Sequence, residues 1–161
     1  SAFNSPKSYL KTKGMGNQNI NNTLLRTLMS VPEYREKFLR KLADIFRFCT
    51  TERMLSILEP MVDLITPEMS SHWERWGPEN DKMVISDVPT TSDGAYRYWQ
   101  SRVERLRNVI RKRPRKLWAM VKTEFSLTDA QMIEYGFGPQ PAFPEDATLT
   151  DSEIKQYGTG R

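Results

Sequence analysis

Eight basic side chains, Arg102, Arg105, Arg107, Arg111, Lys112, Arg113, Arg115 and Lys116, fall within fifteen residues, and Glu104 is the only acidic residue among them. Guanidinium and ammonium groups at this density offer a face to phosphate or carboxylate, and Arg adds bidentate geometry. Arg107, Arg111, Lys112, Arg113, Arg115 and Lys116 are the candidate partner- or phosphate-binding set. The occupant could be a phosphorylated or acidic protein, a nucleotide phosphate or nucleic acid. A plainer reading stands beside this one: a solvated helix face, with cations near a helix C-terminus where the backbone dipole favours them. A nucleic-acid groove would interleave aromatics on the same face. Trp99 and Trp118 fall on apolar stripes instead, which argues against nucleic acid.

The remaining reactive types are sparse. His72 is the sole histidine; a general base needs a nucleophile at a motif spacing, and none is present, so a structural or exposed role is expected. Gly14-Met15-Gly16 lacks the third glycine of a dinucleotide fingerprint and the Lys-Ser/Thr of a P-loop, and reads as a turn. Asp44, Asp63, Asp81, Asp87 and Asp93 show no pairing suited to Mg²⁺. No catalytic or metal-binding residue is therefore assigned. Cys49, the only cysteine, follows Phe48 at an apolar helix end and is expected to be buried.

The elements that would position these groups are helical. Residues 1–22 are rich in Gly and Asn and read as a loop severed from a preceding element. A short helix is expected from Thr23 to Met29. Ser30 and Glu33 have capping-box spacing, with Pro32 in the first turn of a helix that buries Tyr34, Phe38, Leu42, Ile45 and Phe46. Thr51 is expected to cap a third helix, with Met54, Leu55, Leu58, Val62 and Ile65 inward and a kink or split at Pro60. A fourth begins at Thr66-Pro67-Glu68 and stops at Gly77, and its stripe is Met69, Trp73 and Trp76.

A loop over residues 77–92 is followed by the longest helix, in which Tyr96, Trp99, Val103, Leu106 and Ile110 form the packing seam. Pro114 predicts a boundary near Arg113. Leu117, Trp118, Val121 and Phe125 belong to a further helix, and Thr128 with Gln131 caps another that ends at Gly136. All four tryptophans are expected in the core.

The domain division is then residues 1–22, a helical subdomain over 23–136, and a Pro-rich tail over 137–161 with a short helix from Thr150. That helix is too short to stand alone, so the tail docks on a neighbour or frays. The fold class is all-α, an irregular helical bundle. No apolar run approaches the ~20 residues of a membrane-spanning helix, so no membrane partner is expected. The chain opens on Ser1 rather than Met, which suggests a trimmed or processed piece.

The phrase from Leu24 to Phe38, a leucine-rich turn followed by Tyr34-Arg35-Glu36-Lys37-Phe38, resembles a recurrent phrase of the CotH (spore coat protein H) family. The similarity continues in order through the helix over Glu52 to Thr66, Pro67-Glu68, His72-Trp73-Glu74-Arg75-Trp76, Trp99-x-x-Arg102, Arg113-Pro114 and Phe125-Ser126-Leu127, covering about residues 20–128. The resemblance implies an atypical α+β kinase-like fold that transfers the ATP γ-phosphoryl to serines of bacterial coat or extracellular proteins, with ATP and Mg²⁺ as cofactors of a complete member. It implies that residues 1–22 are the end of an upstream catalytic region. It also implies that this chain is the helical C-lobe, inactive alone, partnered by the upstream part of the same domain and by a protein substrate, in a spore coat or outside a bacterial cell. The family's acidic nucleotide and metal residues find no counterpart in this sequence. The alternative is a helical interaction module whose basic face binds an acidic partner or nucleic acid.

Overall fold

The structure, a computed structural model, describes residues 23–80 and 91–158. The expectations for residues 1–22, including Gly14-Met15-Gly16, and for Asp81 and Asp87 lie outside the described residues. Every regular element described is helical: α1 (Thr23–Met29), α2 (Pro32–Phe48), α3 (Thr51–Ile65), a 3₁₀ turn (Thr66–Glu68), α4 (Met69–Asn80), α5 (Ser92–Glu124), α6 (Asp129–Tyr135) and α7 (Asp151–Tyr157). The described residues divide into two compact units, one of residues 23–48 and 117–140, the other of residues 49–80, 91–116 and 141–158.

In the first unit, α2, the last turns of α5, α6 and the segment after it enclose Leu39, Ala43, Trp118, Val121, Leu127, Met132 and Phe137. Leu39 and Met132 are fully buried. The buried line on α2 is turned from the predicted one. Leu39 and Ala43 are innermost, Leu42 and Phe46 flank them, and Ile45 is exposed. Ala43 carries little hydrophobic signal, but its small side chain is what fits at the closest approach.

The α1–α2 joint also differs from expectation. The Ser30 hydroxyl donates to the Thr27 carbonyl at 2.6 Å, closing α1, and the reciprocal pair with Glu33 is not among the hydrogen bonds described there. The Thr128–Gln131 capping box forms in both directions, and Gly136 ends α6 at φ 97°.

In the second unit, Thr50 rather than Thr51 caps α3, accepting from the Arg53 N–H at 3.2 Å. Of the predicted inward residues, Val62 is buried and Ile65 is exposed; on α5, Leu106 is exposed too. Cys49 is exposed, contrary to expectation, because Phe48 beside it also faces outward. The tryptophans divide: Trp118 is core, Trp73 and Trp99 are half-buried, and the Trp76 side chain lies outside the description.

Two predicted boundaries, at Gly77 and Pro114, are absent, and Pro60 does not split its helix. α3 continues through Pro60, α4 through Gly77 to Asn80, and α5 through Pro114 for an uninterrupted 33 residues. An interior proline removes one helical hydrogen bond and costs roughly 3 kcal/mol. Around Pro114 that cost is outweighed by anchoring on both sides, at buried Lys112 and Arg115 and at buried Trp118 and Val121.

Pro60 is exposed, so replacing it sacrifices no packing. Pro60→Ala is expected to add about 2 kcal/mol of stability, the restored helix propensity less the freedom given to the unfolded chain. The readout is a higher urea midpoint at unchanged slope.

Candidate functional site

Each residue of the predicted basic set lies on the stretch of α5 within the second unit, where contacts run to other parts of the same chain. Arg107 forms a bidentate pair with Glu59 of α3, with Nε–Oε1 at 2.8 Å and Nη2–Oε2 at 2.6 Å. The Glu59 hydrogen bonds raise the Arg107 pKa further above its already high value, and the same contact holds the Glu59 carboxyl below its ordinary range. Arg111 Nη1 donates to Glu104 at 2.8 Å, while its Nε lies 2.6 Å from Asp146, close enough for an ion pair but off the hydrogen-bonding direction. Arg113 is exposed.

Lys112, Arg115 and Lys116 converge on the segment 141–158, called the strap below. Lys112 Nζ reaches both Glu153 carboxylate oxygens at 3.0 and 2.9 Å, and Lys116 donates to Glu153 as well. Arg115 donates to the Tyr157 carbonyl at 3.1 and 2.5 Å and to the Pro141 carbonyl at 2.9 Å. Its guanidinium also lies 5.1 Å from the centroid of the Phe143 ring. One turn along α5, Asn108 exchanges two hydrogen bonds with the Thr148 backbone at 3.0 and 2.9 Å.

Lys112 and Arg115 are the two buried charged side chains among the described residues, each 9% exposed. Burial of Glu153 disfavours its charge, but hydrogen bonds from Lys116, the Thr150 N–H and Lys112 outweigh that and hold its carboxyl at about 2. Thr150 and Glu153 also complete a capping box, so one carboxylate both starts α7 and ties it to α5.

The Thr150–Glu153 spacing was legible in the sequence as a helix start. The long-range role of Glu153 was not, nor were those of Glu59 and Asp146: pairs 35 to 48 residues apart leave no local pattern.

The first unit holds an open cleft of about 690 Å³, whose lining includes Arg35, Glu36, Glu124, Phe125, Ser126 and Gln131. Arg35 serves structure there. It donates to the Phe125 carbonyl at 2.5 Å and covers that ring at 5.5 Å, neutralising the carbonyl end of α5. α5 ends in a Schellman turn, with Leu127 N–H to the Lys122 carbonyl at 2.9 Å and Ser126 N–H to the Thr123 carbonyl at 3.3 Å. Ser126 holds the left-handed position at φ 53° that glycine normally takes. Ser126→Gly is expected to stabilise the first unit by about 0.5–1 kcal/mol. A thermal midpoint that fails to rise would contradict this.

His72 is exposed on α4. Among the described residues, no three His, Cys, Asp or Glu side chains gather as a metal-binding group, and no helix is long and apolar enough to cross a membrane.

A profile of the CotH kinase protein family matches residues 5–117. The chain belongs to the CotH kinase family. The matched span begins earlier than the resemblance read from the sequence and ends earlier, before Phe125-Ser126-Leu127. It includes the whole basic stretch of α5 and excludes the strap that pairs with it. No curated protein and no solved structure matches this CotH-family chain.

Two carboxylates of the described residues are already committed to cations of the same chain and are not free to hold a metal-bound phosphate. Magnesium requires carboxylates free to face phosphate. The part-buried carboxylate Glu153 is neutralised by two lysines, and Glu59 by Arg107.

Proposed function

We propose that this chain is the helical C-terminal part of a CotH-type atypical protein kinase, supporting a nucleotide site built by other residues of the domain. The single observation that carries the reading is the family match over a span in whose described part, α1 to the middle of α5, every regular element is helical. Phosphoryl transfer is catalysis by positioning: it needs a phosphate cradle, carboxylates on the metal and a base beside the acceptor hydroxyl. Helices with internally paired charges supply a rigid platform for such a site and a surface for the protein substrate. The complete domain acts on serines of coat or extracellular proteins in this reading.

The test is label transfer from γ-labelled ATP with Mg²⁺ to a serine-rich protein by this chain alone. No transfer is expected. Transfer that survives purification to homogeneity would place the catalytic groups inside the chain and end the proposal.

A further inference from the structure

We propose that the α5 face carrying Arg111, Lys112, Arg115 and Lys116 is a docking surface for a short acidic peptide helix, and that the strap occupies it as an intramolecular stand-in. The inference does not depend on the kinase reading. Four cations of one face meet the strap: Arg111 at Asp146, Lys112 and Lys116 at Glu153, and Arg115 at the carbonyls of Pro141 and Tyr157. The arrangement is that of a recognition interface, with an aromatic anchor, desolvated charge pairs and a polar margin. Phe143 is the buried anchor, 6.4 Å edge-on from Tyr157 and covered by Arg115.

The strap is held by this surface more than by itself. α7 has seven residues, below the length at which a helix persists unaided. The segment ahead of it carries Pro139, Pro141 and Pro144 and forms no regular element. What docks here is therefore an element that folds on contact. Its chemistry defines the partner: one carboxylate on an irregular lead-in, like Asp146, a second in the first turn of a Thr- or Ser-capped short helix, like Glu153, and an aromatic at each end.

A tethered occupant works at an effective concentration in the millimolar range for a short linker, so a free acidic peptide competes only once the tether's anchor is weakened. Glu153 is that anchor, because two of the four cations converge on it.

The probe is a synthetic peptide of residues 141–158, titrated into the full chain and into its Glu153→Lys and Glu153→Gln variants. Amide hydrogen exchange reports strap opening in each. The expected result is loss of strap protection in both variants while α3 and α5 stay protected. Peptide affinity should rise roughly tenfold or more over the unaltered chain and fall as salt rises. A scrambled peptide of the same composition should bind markedly less.

Equal binding to all three chains would overturn the proposal, as would equal binding of the scrambled peptide. Open straps with no peptide binding would also overturn it. So would a strap still protected in both variants, since Glu153 would then not be its anchor. If Glu153→Lys unfolds the second unit, the milder Glu153→Gln variant still decides the matter.

Discussion

Trp118→Ala is expected to unfold the first unit at a temperature roughly 20 °C lower, a loss of about 3–5 kcal/mol. Trp118 is nearly fully buried among Leu39, Ala43, Val121, Leu127, Met132 and Phe137, so truncation opens a cavity the size of an indole. Its Nε1–H also donates to the Gly138 carbonyl at 3.1 Å, fixing the chain beyond α6. Trp118→Phe separates the two contributions. It keeps much of the ring volume and orphans the carbonyl, for an expected loss of about 1–3 kcal/mol. Denaturant unfolding of the three chains checks the order. A Phe variant as damaged as the Ala variant would show that the hydrogen bond, not the volume, holds this core.

The second large effect belongs to Glu153 and depends on pH. The carboxyl ionises at about 2 in the folded chain against an ordinary value of 4.5, so between those values the unfolded chain binds more protons. The stabilisation is complete above about pH 4.5 and is lost as pH falls toward 2. The side chain is 13% exposed, and the shift corresponds to about 3 kcal/mol.

Glu153→Gln removes that dependence and leaves the buried Lys112 ammonium without its carboxylate, for a loss of about 3 kcal/mol near pH 7. Stability measured from pH 7 down to pH 3 should decline in the unaltered chain with an extra slope that the variant lacks. Parallel profiles would contradict the assignment.

How far the sequence could be read follows from the range of each interaction. The Thr128–Gln131 and Thr150–Glu153 boxes were legible because capping is settled within one turn by side chains three residues apart. The helical class followed from apolar spacing for the same reason. Gly77 and Pro114 misled, because a local penalty of a few kcal/mol is small against tertiary anchoring, such as burial of Trp118 and Val121 beyond Pro114.

The stripe on α2 was turned because Ala43 reads as neutral while Ile45 reads as core. The basic cluster itself was plain, but its partners were not. Asp146 and Glu153 lie in a tail whose prolines signal irregular chain, and nothing local links that tail to α5. CotH membership, by contrast, was legible in the order of soft motifs, since the matched span covers most of them.

Calorimetric titration of Mg·ATP into the purified chain tests the central claim most directly. The account predicts no saturable heat up to millimolar nucleotide, because it places the phosphate cradle and the metal-holding carboxylates outside this helical part. Saturable one-to-one binding, abolished by substitutions within residues 23–158, would contradict it.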